Sequence, residues 1–111
     1  MSISEAEFRS HADTALDRLN RGLGGAADQY DAEVLFQNGV LTVEVEEPSP
    51  GKIVISPNAP VRQIWISAQS RSFKLDWRDG AFVLAATSET LDDLVSRLVG
   101  EQLGIARINL D

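Results

Sequence analysis

Asp13 and Asp17 stand one helical turn apart, with Asn20 following, and Asp28, Asp31 and Glu33 come a few residues later. Carboxylates at this density are the main chemical resource of the 111-residue chain, whose 17 acids against 10 bases give a net charge of −7. If the first helix and the first strand run side by side, Asp13, Asp17, Asp28, Asp31 and Glu33 share one edge. Oxygen ligands on such a ridge attract hard cations, including Ca²⁺, Mg²⁺, Mn²⁺ and iron, but without a cage or an imidazole the affinity and selectivity are low. A solvated acidic face and a docking site for a basic partner are the other readings of the same run. The remaining chemistry is sparse. His11 is the single histidine, has no serine or carboxylate at triad spacing, and reads as a partly exposed structural residue. The absence of cysteine excludes disulfides, thiolate metal sites and a catalytic thiol within the chain. GLGG at Gly22 to Gly25 lacks the lysine of a phosphate loop and follows a helix, so it reads as a helix stop.

The acidic balance repels phosphate backbones and anionic lipid, so neither nucleic acid nor a membrane is an expected partner. No uncharged apolar run is long enough to span a bilayer. The opening MSISEAEF has neither the basic and apolar regions of a secretory signal nor an arginine-rich transit composition, from which a soluble cytoplasmic protein is expected.

The elements that must position these residues follow from periodicity. Ser4 and Glu7 fit a capping box, and Phe8, Ala12, Ala15, Leu16, Leu19 and Leu23 recur at helical spacing, predicting an amphipathic helix ending near residues 21–23. Ala32, Val34 and Phe36 then point inward on a short strand, Asn38-Gly39 makes a tight hairpin, and Val40 to Glu46 returns. Lys52 to Ile55 forms a third strand, and Ser56 to Pro60 reads as a proline-containing loop. A last strand is expected from Ala81 to Ala85 after the Arg78-Asp79-Gly80 turn. Thr87 or Ser88 would then cap a second helix that carries Glu89, Asp92 and Asp93 in its first turn and ends at Gly104. Ile105, Ile108 and Leu110 give the tail enough apolar character to pack back on the body.

Between them lies PVRQIWISAQSRSFKLDW, Pro60 to Trp77, which holds two strands in a hairpin. Ile64, Ile66 and Ala68 alternate with Gln63, Trp65 and Ser67, so an inward isoleucine face turns Trp65 outward. Phe73, Leu75 and Trp77 alternate with Ser72, Lys74 and Asp76 in the same way. A large aromatic on a polar sheet face is a favoured anchor for partners. Two helices with one apolar stripe each, flanking about six strands, predict a single α+β domain over residues 1–111. It is a two-layer α/β sandwich with both helices packed on one face of an antiparallel sheet. The other face then carries Glu33, Glu44, Glu46, Trp65 and Lys74.

NGVLTVE at Asn38 to Glu44, APVRQIWIS at Ala59 to Ser67 and KLDW at Lys74 to Trp77, in a helix–meander–helix order, resemble the frataxins, including their bacterial members. The resemblance covers nearly the whole chain. It implies weak binding of ferrous and ferric iron by an acidic ridge that maps onto Asp13, Asp17, Asp28, Asp31 and Glu33, with Glu44 and Glu46 nearby. It also implies action in iron–sulfur cluster assembly through contact with a cysteine desulfurase and its scaffold protein, as a regulator or an iron donor, with Asn58, Gln63, Trp65 and Lys74 on the partner surface. A mostly monomeric, non-enzymatic protein is expected, with a ferroxidase, or an iron store that forms iron-dependent oligomers, as the alternatives. Arg18 and Arg21 interrupt the first helix where family members often carry more acids, which implies weaker iron binding here.

Overall fold

A computed structural model of the chain describes residues 3–30, 32–46 and 50–110. The first helix, α1 (Glu5–Ala27), starts from the expected capping box. The Glu7 amide donates to the Ser4 hydroxyl at 3.1 Å and the Ser4 amide donates to the Glu7 carboxylate at 3.2 Å. The bond from the Ser4 amide, and then the Ser4 hydroxyl, hold the Glu7 carboxyl below its ordinary range. The glycine cluster does not stop this helix. It continues to Ala27 because Leu23 and Ala26 still belong to the buried stripe begun by Phe8, Ala12, Leu16 and Leu19. Gly22 instead makes room for the tail, since a Cβ there would meet the Leu110 carbonyl oxygen at 2.5 Å.

Seven strands follow in one sheet whose spatial order equals their chain order, β1 (Ala32–Gln37), β2 (Val40–Val45), β3 (Gly51–Asn58), β4 (Gln63–Ala68), β5 (Arg71–Arg78), β6 (Ala81–Leu84) and β7 (Glu89–Thr90). All neighbours are antiparallel. Asn38 and Gly39 both take positive φ, 54° and 77°, as the tight hairpin between β1 and β2 demands. The stretch expected as a loop is largely strand: β3 runs through Pro57 to Asn58 before a single 3-10 turn at Ala59–Val61. Pro57 is tolerated because Ser56 to Asn58 pair with β4 beyond the last registered β2–β3 pair, Leu41 with Ile55, so its missing amide breaks no ladder bond on that side.

The end of the sheet also differs from expectation, with seven strands in place of about six. The last long strand stops at Leu84, Glu89 and Thr90 form the extra strand, and Thr90 caps α2 (Leu91–Leu103) by accepting from the Asp93 amide. Glu89 is therefore outside the helix, and Arg97 holds it with two 2.9 Å bonds. Gly104 ends α2 in the left-handed conformation, φ 79°. Inward residues Leu41, Val43, Ile53, Ile55, Ile64, Ile66 and Leu75 of the sheet meet Phe8, Leu16 and Leu19 of α1 and Leu94, Val95 and Leu98 of α2 in one core, completing the α+β sandwich. In the tail Ile108 is buried and its amide donates to the Ser96 carbonyl, whereas Ile105, expected to pack, is exposed.

Candidate functional site

The face of the sheet away from the helices presents Trp65, which is 38% exposed although the strand on which it sits buries Ile64 and Ile66 completely or nearly so. The alternation read from the sequence therefore holds, and three side chains fix the indole in place. Its Nε1 donates to Gln63 Oε1 at 2.9 Å, and Gln63 Nε2 donates to Asp76 Oδ1 at 3.0 Å. Lys74, directly opposite Trp65 in the β4–β5 register, sets its Nζ 4.9 Å from the ring centroid. An ammonium over an indole at an exposed site contributes about 0.5–1 kcal/mol. Asn58 lies opposite Gln63 on β3, so Asn58, Gln63, Trp65 and Lys74 occupy one continuous patch. Asp76 joins them, and its alternation with Ser72 and Lys74 is the signal in the sequence that puts it on this face.

The carboxylates do not converge as the Trp65 patch does. Asp31 lies outside the described residues. Among the described residues, no three acids or imidazoles come together as a metal site. Asp13 and Asp17 are exposed on α1, and Asp17 accepts an ion pair from Arg21 one turn on. Asp28, at the C-cap of α1, is three turns from Asp17 on the same side, about 16 Å along the axis at 1.5 Å per residue. Glu33 and Glu44 face each other across β1 and β2, an arrangement that is repulsive without a cation. Lys52 relieves it in part, with Nζ 3.8 Å from the Glu44 carboxylate. The ridge therefore consists of separated single and paired oxygens, chemistry suited to weak, exchangeable cation binding. Arg18, the other cation that interrupts α1, reaches 3.2 Å to Asp92 and ties α1 to α2 instead of entering the ridge.

His11 is exposed and lies flat on Trp77, with ring centroids 4.0 Å apart at 15°, and Trp77 meets Phe82 edge-on at 5.0 Å. These contacts give His11 a packing role beside the α1 stripe.

A two-helix, seven-stranded sandwich with an outward tryptophan on its fourth strand and acids on α1 and β1 defines a class, and a family model described as a frataxin-like domain matches residues 1–105. The chain belongs to the frataxin-like family. It is 33% identical over 102 residues to the iron-sulfur cluster assembly protein CyaY of Ralstonia nicotianae, covering 90% of this chain and 88% of that protein. It is 31% identical over 108 residues to the protein of the same name from Azotobacter vinelandii, covering 94% and 93%. Among solved structures, frataxin from Psychromonas ingrahamii superposes with a TM-score of 0.83 over 98% of this chain and 99% of that one, at 16% identity, a likeness of fold. Trimeric yeast frataxin from Saccharomyces cerevisiae, complexed with ferrous iron, gives a TM-score of 0.70 at 26% identity, covering 85% and 86%. No helix among the described residues is long and apolar enough to cross a membrane.

Proposed function

We propose that this protein acts in iron–sulfur cluster assembly as a non-enzymatic, cytoplasmic regulator that docks on a cysteine desulfurase and its scaffold protein. The observation that carries the reading is the outward Trp65, held by Gln63 and Lys74 on the sheet face that both helices leave open. An aromatic that is tethered before docking loses less conformational freedom on binding than a free one, which favours an anchor role. The names of the curated relatives support the process, and the net charge of −7 suits the acidic ridge to a basic partner surface. Iron is a weakly held cargo of that ridge, taken by Asp13, by the Glu33–Glu44 pair and by Asp17 in competition with Arg21; the ferrous complex of the yeast protein supports this. The protein works mostly as a monomer, with iron-dependent oligomers at high loading.

Calorimetric titration of the matching desulfurase–scaffold complex tests the docking. Binding that is weakened at least tenfold by Trp65→Ala, in a variant with unchanged circular dichroism, is the expected result. Equal affinity of the wild type and the variant contradicts it.

A further inference from the structure

We propose that Asp76 is a positioning residue, which sets the orientation of the Trp65 indole through the Gln63 amide without touching the partner itself. The inference rests on the docking role of Trp65 proposed above. It starts from the polarity of three groups in a row. The indole N–H can only donate and a carboxylate can only accept, so an amide between them satisfies both in one orientation alone. That orientation is the one present: Gln63 Oε1 faces Trp65 Nε1 at 2.9 Å and Gln63 Nε2 faces Asp76 Oδ1 at 3.0 Å. Turned the other way, the amide would set its NH₂ against the indole N–H and its oxygen against the carboxylate.

The backbone supports the relay. Gln63 and Asp76 are direct cross-strand partners, and both are half-buried, so the amide is confined while the indole beyond it remains exposed. Asp76 stands between Lys74 and Arg78 on the outward positions of β5, and Lys74 closes on the indole from the opposite strand. Trp65 is therefore held at its N–H end by a polar relay and over its ring by a cation. Ordering of the anchor is completed on folding instead of on docking.

The test exchanges the polarity of the relay and reads the indole directly. The solvent-exchange rate of the Trp65 Nε1–H is measured by ¹H–¹⁵N NMR, its resonance being assigned with Trp65→Phe, and affinity for the scaffold protein is measured alongside. Asp76→Ala is expected to speed the exchange and weaken scaffold binding about fivefold, the equivalent of one hydrogen bond of about 1 kcal/mol. Gln63→Glu alone opposes two carboxylates and gives the same direction of change. Gln63→Glu combined with Asp76→Asn restores slow exchange and affinity, because the new carboxylate accepts from both the indole and the new amide. Failure of Asp76→Ala to alter the exchange, or of the double variant to restore it while the fold is intact, overturns the inference. If the exchange rates follow the expected pattern but Trp65→Ala leaves scaffold binding unchanged, positioning by Asp76 is upheld and the docking role falls.

Discussion

Lys74 and Trp65 are direct partners across β4 and β5, and the lysine Nζ lies 4.9 Å from the centre of the indole ring. The ammonium both holds the ring and places a positive charge at the rim of the exposed patch. Lys74→Gln removes that contact at the cost of about 0.5–1 kcal/mol, the range for an exposed cation–π pair. The expected outcome is a small fall in stability by urea denaturation together with a change in Trp65 fluorescence. Lys74→Arg preserves both, since a guanidinium also stacks on an indole.

Arg21 and Asp17 are ion-paired on α1, so on the proposed reading Arg21 should compete with metal for this carboxylate. Arg21→Gln frees the carboxylate. Exposed ion pairs are worth about 0.2–1 kcal/mol, so affinity for Mn²⁺ as an iron surrogate rises up to about fivefold. Paramagnetic broadening of the Asp13 and Asp17 resonances measures it, and equal broadening in both proteins would exclude this competition.

Two glycines in helices have opposite roles. Around Gly24 the space that a methyl group would take is open, with no neighbouring atom within 4 Å, so Gly24→Ala should stabilise the protein by about 0.5–1 kcal/mol through helix propensity. At Gly100 the same methyl would collide with the backbone of Arg107 in the returning tail. Gly100→Ala should cost about 1–3 kcal/mol, the usual range for overpacking, and both shifts can be read from chemical denaturation midpoints.

Glu89 is held below the ordinary carboxylate range, first by its hydrogen bonds from Arg97 and then, against the effect of burial, by Thr87. A carboxyl depressed in the folded state contributes stability above its unfolded value, about 4.3, and loses it as pH falls through the folded value. Glu89→Gln is therefore less stable than the wild type at pH 7, and the two curves of stability against pH converge on acidification below about 4.3. A constant gap across that range would assign the effect of Glu89 to packing instead.

The sandwich was legible because its signals are local. The Ser4–Glu7 capping box, Asn38-Gly39 and Gly104 all act where the sequence places them. The outward turn of Trp65 followed from simple alternation along β4. What misled was tertiary override. Gly22, Gly24 and Gly25 have low helix propensity, yet Leu23 and Ala26 keep α1 going because their burial outweighs it. Thr87 and Ser88 look like caps, but Glu89 is drawn into a two-residue strand by its pairing with Leu84 and its bonds to Arg97. The geometry of the acids was not legible, because the pairing of Asp17 with Arg21 and of Glu44 with Lys52 depends on rotamers and register. The Gln63–Asp76 relay similarly required the β4–β5 register.

The rate of sulfide production by the matching cysteine desulfurase and scaffold, with and without this protein, tests the regulator role most directly, with Trp65→Ala as the comparison. A change of rate in either direction that Trp65→Ala abolishes is the expected result. An unchanged rate with the folded wild-type protein present at saturating concentration would contradict it.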